Sequence, residues 1–533
     1  MRTTLCALML LIGFILPSKA QKIDQKFIDA HTYYNLKDAL KNPDKVYALQ
    51  LVKTGKHFPM EVFKFQNLRS LRLLRIKTNA IPAQIAQLKH LEKLTLTHSP
   101  ALVVVQLDSP NAMEKFKSSA KLSIPKEIGL LKKLKHLHLQ GFAINKLPES
   151  MFDLTNLEYL GLTYANQKRL PAKITKLKKL KHLNLEENYL KQLPKEVSAL
   201  QGLKEFNLNS NLLKQWPSVI HSLKKLEKLN LSNNKLKSFK SMKPLTSLKD
   251  LNLSKNALKN LPKAFSGFKN LQNLTMFSNS FQKFPISLLQ LTQLKKLDLS
   301  YNQLSGLPKG LEQLQNLQIL MLTGNKFQTM PLTLAQINAL EELYLGSNQL
   351  TTLPPEIKQL KKLKRLWLSS NKITYLPPQF FELKTLEDLS LGYNQYQQVS
   401  PHIGKLENLK DLNLAGNKIQ QLPTEMATLI SLKRLWISAN KFTEFPTALT
   451  QLPKLKDLMI GKNQIKELPT TIGQMKYLKS LNLGSNKLRS LPNEISQLTA
   501  LKRLVLFGNK FWLLKDKDKA KYRGLLPNCE ISF

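Results

Sequence analysis

The sequence predicts an α/β repeat fold: a single curved solenoid with a parallel β-sheet on its concave face and irregular, 3₁₀ or short helical segments on its convex side. The main observation is an asparagine that recurs every 23 residues, with one step of 22. A fixed period of this size indicates stacked repeats, each of which buries its apolar face against its neighbours. The recurring residues are Asn188, Asn211, Asn234, Asn256, Asn279, Asn302, Asn325, Asn348, Asn371, Asn394, Asn417, Asn440, Asn463, Asn486 and Asn509.

The second observation is the pattern inside one repeat. Residues 180–202 read LKHLNLEENYLKQLPKEVSALQG. Leu183 and Leu185 alternate with polar residues, which predicts a strand whose leucines face the core. Asn188 follows the strand, where its amide can donate and accept hydrogen bonds that satisfy the turn backbone. Pro194 lacks an N–H, so it marks the return segment, which is not a strand.

This pattern, Leu-x-x-Leu-x-Leu-x-x-Asn-x-Leu-x-x-Leu-Pro, resembles the leucine-rich repeat family and specifically its 23-residue class. The layout of the chain is similar to that of secreted bacterial leucine-rich repeat proteins. The resemblance covers nearly the whole chain and implies about 19 stacked copies. Because the family hosts receptors, adhesins, scaffolds and inhibitors, it predicts the fold and leaves the function open.

The predicted repeat array and the residues on either side of it divide the chain into four segments. Residues 1–20 have a basic start, an apolar run and a small-residue end, which predicts a cleaved secretory signal. The run is shorter than the roughly 20 residues of a membrane span, so we expect no transmembrane anchor and a periplasmic, cell-surface-associated or extracellular protein. Residues 21–67 are predicted to form an N-terminal cap and a partial repeat. Repeats with an insertion near 100–120 are predicted over 68–514, and a C-terminal cap over 515–533.

Cysteine content excludes an intrachain disulfide in the mature protein. Cys6 lies in the predicted signal, so Cys529 alone remains. We interpret Cys529 as a buried small apolar residue rather than a reactive thiol, because Cys529, Ile531 and Phe533 alternate as a last strand would. A helix is predicted before that strand, between Asp516 and Leu526, and would cap the stack.

The chain is strongly basic: 81 Lys and Arg residues against 36 Asp and Glu give a formal net charge of +45. Lysines recur just before the predicted strands, so stacking would align them along one lateral rim. Such a rim either keeps a long solenoid soluble or attracts an anionic polymer or surface, and the sequence leaves both interpretations open. The rim residues are Lys178, Lys179, Lys181, Lys224, Lys225, Lys295, Lys296, Lys361, Lys362 and Lys364.

A candidate binding patch lies on the predicted concave face. The central outward residue of each strand changes from small and polar to aromatic and apolar between Met321 and Met459. Large apolar side chains that face solvent together indicate an interaction site, and Trp, Tyr and Arg are enriched in binding hot spots. Trp367 and Trp436 are three strands apart, roughly 14 Å, which suits an extended peptide or a short sugar chain. The predicted patch is Ile319, Met321, Tyr344, Arg365, Trp367, Tyr393, Arg434, Trp436 and Met459.

Motifs of enzymes and cofactor sites are absent from the sequence. It has no Walker-type phosphate loop, no Gly-x-Ser-x-Gly, no His-Glu-x-x-His and no Cys-x-x-Cys. We therefore expect no catalytic residues, no enzymatic activity and no cofactor. His136 and His138 share a strand face, but His182 lies two strands away, roughly 10 Å, so we expect no metal site.

The function that the sequence favours is secreted recognition of a protein or peptide through the concave face, with a glycan as another possible ligand. The alternative is a basic surface-associated protein that binds anionic polymers, such as acidic polysaccharide, through the lysine rim. The sequence has no nucleic-acid-binding motif, so sequence-specific nucleic-acid binding is not expected. High salt separates the two functions, because it screens exposed charges and leaves a desolvated aromatic contact largely intact.

Overall fold

A computed structural model describes residues 32–53, 55–98, 120–513 and 516–533 of the chain. The predicted signal at 1–20 and nearly all of the insertion near 100–120 lie outside the described residues. The chain divides into two compact units, Met1–Lys235 and Leu236–Phe533. The division falls in the repeat that is one residue short, between Asn234 and Asn256.

The first unit contains nine described strands, each parallel to the next along the chain. Corresponding residues of neighbouring repeats are paired, as Leu183 is with Phe206. A short helix α1, Leu36–Lys41, precedes β2 and buries Ala39. The strands are β1 Thr32–Tyr33, β2 Ala48–Val52, β3 Ser70–Leu74, β4 Lys93–Thr97, β5 His136–Gln140, β6 Tyr159–Thr163, β7 His182–Asn184, β8 Glu205–Asn207 and β9 Lys228–Asn230.

The second unit contains thirteen described strands with the same parallel pairing. Helix α2, Asp516–Leu525, precedes the last strand and confirms the helix predicted between Asp516 and Leu526. The strands are β10 Asp250–Asn252, β11 Asn273–Thr275, β12 Lys296–Asp298, β13 Ile319–Met321, β14 Glu342–Tyr344, β15 Arg365–Trp367, β16 Asp388–Ser390, β17 Asp411–Asn413, β18 Arg434–Trp436, β19 Asp457–Met459, β20 Ser480–Asn482, β21 Arg503–Val505 and β22 Glu530–Ser532.

Short 3₁₀ helices form the return segments of the repeats. Most begin directly after a proline in extended conformation, such as Pro194 with φ −72° and Pro423 with φ −70°. Proline suits this position because it fixes φ and needs no hydrogen-bond acceptor. The 3₁₀ helices are Pro43–Lys45, Met60–Lys64, Ala83–Gln87, Lys126–Leu130, Glu149–Asp153, Ala172–Lys176, Lys195–Ala199 and Ser218–Ser222 in the first unit, and Lys263–Gly267, Ile286–Gln290, Leu311–Gln313, Leu332–Gln336, Pro355–Gln359, Pro378–Glu382, Pro401–Lys405, Thr424–Thr428, Thr447–Gln451, Thr470–Gln474, Asn493–Gln497 and Lys510–Leu513 in the second.

The recurring asparagines bond to the backbone of neighbouring repeats, and all of them are buried except Asn256, which is half-buried. Asn394, for example, donates through Nδ2 to the Leu368 and Leu391 carbonyls at 3.0 and 2.9 Å, and accepts from the Ile373 N–H at 3.0 Å. Buried backbone groups are costly when they lack a partner, so this ladder stabilises every turn it touches. The stack of parallel strands, 3₁₀ returns and asparagine ladder confirms the predicted solenoid.

The residue before each ladder asparagine adopts a left-handed backbone conformation. It is Glu187 with φ 56° before Asn188, and Tyr393 with φ 56° before Asn394. A left-handed conformation costs a non-glycine residue roughly 1–2 kcal/mol, so the ladder holds the chain in a turn that it would otherwise avoid.

The interpretation of Cys529 as a buried residue is wrong, because its side chain is half-buried. It lies in the bend that precedes β22, the last described strand. Its partial burial raises the thiol pKa.

Candidate functional site

The strands β13–β19 place the predicted binding residues in two columns on the exposed face of the sheet. In each three-residue strand the central leucine points into the core: Leu366, between Arg365 and Trp367, is fully buried. In-register pairing then aligns the flanking residues of neighbouring strands. We call both columns together the sheet-face patch. The first column is Ile319, Glu342, Arg365, Asp388, Asp411, Arg434 and Asp457, and the second is Met321, Tyr344, Trp367, Ser390, Asn413, Trp436 and Met459.

An aromatic corner forms where β14 and β15 pair. The rings of Tyr344 and Trp367 meet edge to face, with centroids 5.0 Å apart and an interplanar angle of 73°. The Tyr344 hydroxyl donates to Glu342 Oε2 at 2.6 Å, and Trp367 Nε1 donates to Asp388 Oδ2 at 3.1 Å. Trp367 still exposes 36% of its surface. Its polar atom is therefore fixed to the sheet while a ring face remains accessible to a ligand.

Two arginines are held by carboxylates on the preceding strand. Arg365 forms an ion pair with Glu342, and Arg434 forms a two-point ion pair with Asp411 in which Nη2 donates to Oδ2 at 2.7 Å. The charge of Glu342 raises the pKa of Arg365, and the hydrogen bond to Asp411 raises that of Arg434. The Arg434 guanidinium also lies 5.9 Å from the Trp436 ring centroid, within the range of a cation–π contact.

Asp388 differs from the other carboxylates in the middle of the patch. Its side chain accepts a hydrogen bond from the Trp367 indole but forms no ion pair with any described residue. Burial raises the pKa of Asp388 and the charge of Asp411 adds to that rise, while the hydrogen bond from Trp367 and the charges of Arg365 and Arg434 oppose it. The patch therefore carries one partly desolvated carboxylate whose charge is not directly compensated.

The floor between the two tryptophans is made of small polar side chains. Ser390 pairs with Trp367 and Asn413 pairs with Trp436 along the second column. The Ser390 hydroxyl lies 2.6 Å from that of Ser369 and accepts from Asn413 Nδ2 at 3.3 Å. Because Ser390 and Asn413 are smaller than the tryptophans on either side, the surface of the second column is recessed between Trp367 and Trp436.

The remaining predicted residues lie at the margins of this arrangement. Ile319 and Met321 on β13, and Met459 on β19, are half-buried and extend the columns at either end. Tyr393 is 59% exposed and lies in the turn after β16 rather than in a column. A Cβ atom on Gly416 would lie 2.6 Å from Cδ1 of Tyr393, so the ring packs over that glycine in the next repeat.

The sequence-based site left out the acidic partners. Glu342, Asp388 and Asp411 occupy the same column as the predicted arginines, and two of these acids, Glu342 and Asp411, form the ion pairs with them. Their positions one repeat away from Arg365 and Arg434 were visible in the sequence. The contacts were not, because they depend on the reach of each side chain across a strand gap.

The predicted lysine rim is largely solvent-exposed but uneven. Among its ten members only Lys296 is half-buried, because it lies on β12 itself. Lys181 pairs with Glu158 at 2.7 Å, and Lys364 with Glu341 at 2.8 Å. Part of the rim charge is therefore neutralised by acids on the preceding repeat.

A separate ring cluster lies on the sheet of the first unit. The rings of His136 and Tyr159 are stacked with centroids 4.1 Å apart, and His138 meets Tyr159 edge to face at 5.9 Å. His182 Nδ1 lies 3.1 Å from Glu205 Oε2. Among residues that the structure describes, no three His, Cys, Asp or Glu side chains converge as metal ligands would.

Acidification is expected to destabilise the protein through this cluster. Burial lowers the pKa of His136 to about 3 and that of His138 to about 4, with the charge of His138 adding to the first. An unfolded histidine titrates near 6.5, so between about pH 6.5 and pH 4 the unfolded chain binds more protons. The contribution of these two histidines to the free energy of unfolding is therefore fully present above pH 6.5. For half-buried rings such as these, it falls by on the order of a few kcal/mol as the pH drops.

Urea denaturation followed by circular dichroism at pH 7 and at pH 4.5 measures this loss. The double variant His136→Gln/His138→Gln should show a smaller difference between the two pH values. The control is His402→Gln, at an exposed residue of the second unit, which should keep the original difference. An unchanged pH dependence in the double variant would contradict the assignment to these rings.

No helix within the described ranges has both the length and the apolar character of a membrane span.

Comparison with known families identifies the repeat. A family model described as a leucine-rich repeat region matches residues 152–284 and 388–509. A second model, described as a leucine rich repeat, matches residues 292–350 and 338–395. A search of curated protein sequences found no match.

Solved structures with a similar fold come from bacteria and plants. A leucine-rich repeat protein of Leptospira interrogans is 33% identical, with a TM-score of 0.53, over 94% of this chain and 99% of that one. The Arabidopsis receptor kinase HAESA, in complex with the peptide hormone IDA and the co-receptor SERK1, is 26% identical, with a TM-score of 0.55, over 87% and 79%. The functional domain of InlJ from Listeria monocytogenes, 23% identical over 68% and 76% with a TM-score of 0.53, shares the fold.

Proposed function

Because the chain belongs to the leucine-rich repeat family, we propose that it is an exported recognition protein that binds an extended peptide or protein segment on the sheet-face patch. The observation that carries this proposal is the solvent-facing group of Tyr344, Trp367 and two paired arginines on strands β14, β15 and β18. The fold is typical of non-enzymatic interaction proteins. The complex of HAESA with a peptide hormone supports this class of ligand. The basic and apolar composition of residues 1–20 supports export.

Preorganised side chains make the patch suited to binding. Trp367 is tied to Asp388, Tyr344 to Glu342, and Arg434 to Asp411, so the large side chains already occupy fixed positions. A ligand that binds to the patch therefore loses little binding free energy to the ordering of flexible side chains.

The size of the patch fits an extended chain. Strands β15 and β18 are three strand spacings apart, roughly 14 Å, which corresponds to about four residues of an extended peptide. A guanidinium carries five N–H donors, and the ion pairs of Arg365 and Arg434 use only some of them. The remaining donors are available to peptide carbonyl groups, while the tryptophan rings offer apolar contact.

The charge distribution favours a basic residue in the ligand. Asp388 lacks a cationic partner among the described residues and lies beside Trp367, on the strand two before that of Trp436. An ammonium or guanidinium group placed there gains a charge partner and the faces of aromatic rings. The preferred ligand is therefore an extended peptide with aromatic or apolar residues near a lysine or arginine.

Selection from a displayed library of random linear peptides tests the proposed function. The whole mature protein is immobilised, and washing uses about 0.5 M salt, where exposed charges are strongly screened. We expect enrichment of peptides with apolar residues near a basic residue, and competition between individual selected peptides. Enrichment that disappears at this salt concentration would argue against an aromatic recognition site.

Asp388→Asn tests the charge preference directly. We expect it to weaken selected peptides that contain a basic residue by about tenfold, since a partly buried ion pair is lost, and to leave their Lys→Gln or Arg→Gln versions nearly unchanged. Asp457→Asn, in the same column beyond Trp436, is the matched control. Isothermal titration calorimetry supplies the affinities. Equal losses for charged and neutral peptides would contradict a direct contact with Asp388.

A further inference from the structure

A further group of lysines lies in the second unit, next to strands β18–β21, at the same register position as Lys364 of the predicted rim but in later repeats that the predicted rim did not include. Lys433, Lys456, Lys479 and Lys502 each occupy the position directly before one of these strands. The Lys456 N–H donates to the Lys433 carbonyl at 2.8 Å, and the same contact joins Lys479 to Lys456 at 2.7 Å and Lys502 to Lys479 at 2.8 Å. Four lysines are thus neighbours on four successive strands. We call them the lysine row.

The lysine row differs from the same position in the preceding repeats. There, Glu341 pairs with Lys364 at 2.8 Å, and Glu387 pairs with Lys410 at 2.7 Å. Acids and lysines alternate at this position from Glu341 to Lys410, and the next four repeats have only lysines there. All four members of the row are exposed, and none forms an ion pair with any residue that the structure describes.

Like charges opposite each other on adjacent strands are destabilising, so the row is unfavourable unless an anion compensates it. Because neighbouring strands are about 4.8 Å apart and each has one of these lysines, the four charges form a line rather than a cluster. Glu530 pairs with Arg503, so Cys529 takes the position directly before the last strand and the row ends at Lys502. The fitting partner is therefore linear and carries regularly spaced negative charges.

We propose that the lysine row binds a linear acidic polysaccharide with one carboxylate on each sugar unit. Such a polymer repeats its charge over roughly one sugar length, close to the strand separation of about 4.8 Å. Lysine presents a compact point charge, which suits a single carboxylate and lacks the planar fork with which arginine binds phosphate at two points. Tyr477, two residues before Lys479, is 65% exposed and offers a ring face to a sugar.

Binding of the whole mature protein to polygalacturonate tests this inference. The variant Lys433→Gln/Lys456→Gln/Lys479→Gln/Lys502→Gln should lose roughly tenfold to a hundredfold in affinity at low salt, as the sum of four exposed charge contacts. The matched control removes the same charge from exposed lysines that follow strands of the same unit and form no ion pairs among the described residues. It combines Lys326→Gln, Lys372→Gln, Lys418→Gln and Lys441→Gln.

The expected result is a large loss in the row variant, a small loss in the control, and no binding of the fully methyl-esterified polymer. Equal losses in both variants would overturn the proposal, because net charge alone would then explain binding. Tighter binding of polyuridylate, or of vesicles containing phosphatidylglycerol, would overturn the assigned polymer class. The variant Trp367→Ala/Trp436→Ala should bind polygalacturonate normally, which keeps this test separate from that of the proposed peptide site.

Discussion

Replacing Trp367 and Trp436 together by alanine is expected to lower the affinity for a selected peptide by at least about a hundredfold. Buried aromatic side chains at the centre of an interface each contribute roughly 2 kcal/mol or more. The two rings bound the low stretch of the second column, so their removal eliminates both walls against which an extended ligand would pack. The loss should persist at high salt, because its origin is apolar contact.

The same double variant should remain folded. Trp367 is exposed and Trp436 is half-buried, and the core beneath them is formed by Leu366 and Leu435, both fully buried. Truncation at the surface leaves no internal cavity, so the stability change should stay within about 1 kcal/mol. Circular dichroism and urea denaturation check this point.

Tyr375→Ala is the matched control for the tryptophan variant. Tyr375 is an aromatic residue of the same unit that is 59% exposed and lies outside the two columns. We expect its removal to leave peptide affinity unchanged. Binding that survives the double tryptophan change would rule out the sheet-face patch as the peptide site.

Asn394→Ala is expected to give the largest loss of stability from a single substitution, about 2–4 kcal/mol. Its Oδ1 is the acceptor for the N–H of Ile373, a fully buried residue, so that N–H loses its partner. The Leu368 and Leu391 carbonyls are only weakened, because Asn371 and Asn417 also donate to them at 2.9 and 3.1 Å.

Shared carbonyls make neighbouring ladder positions interdependent. The Leu368 carbonyl accepts from both Asn371 and Asn394, so it loses every side-chain donor only in the double variant Asn371→Ala/Asn394→Ala. We therefore expect the double variant to lose more stability than the sum of the two single variants, by about 1 kcal/mol or more.

Urea denaturation of the single and double variants measures this coupling. Asn408→Ala is the control, because Asn408 is exposed and donates one hydrogen bond, 2.9 Å long, to the Lys384 carbonyl. Its loss should cost less than about 1 kcal/mol. Strict additivity of the ladder variants would show that each asparagine acts alone.

Local pattern was sufficient to predict the repeat unit. Leu183 and Leu185 alternate with polar residues as a strand requires, Asn188 follows at the turn, and Pro194 begins the return segment. Each residue type suits its position because of contacts and backbone preferences that can be recognised within one repeat. The aromatic character of the sheet face was equally visible, because strand alternation sends Tyr344, Trp367 and Trp436 outward. The pattern gave no sign of a left-handed backbone before each ladder asparagine, since Glu187 and Tyr393 are not residues that favour it.

The sequence by itself determined the fold class, the buried leucines, the asparagine ladder and the outward aromatic residues, because these follow from the 23-residue period and from the pattern within one repeat. Only the tertiary structure decided which charges are compensated: Arg434 holds Asp411, Asp388 has no ion-pair partner among the described residues, and Lys479 stands between two other unpaired lysines. Partners in these contacts are about one repeat apart in sequence, and a side chain must reach across a strand gap of about 4.8 Å to meet them. Charge pairing therefore depends on both the strand register and the reach of the side chains, and the amino-acid composition contains no information about either.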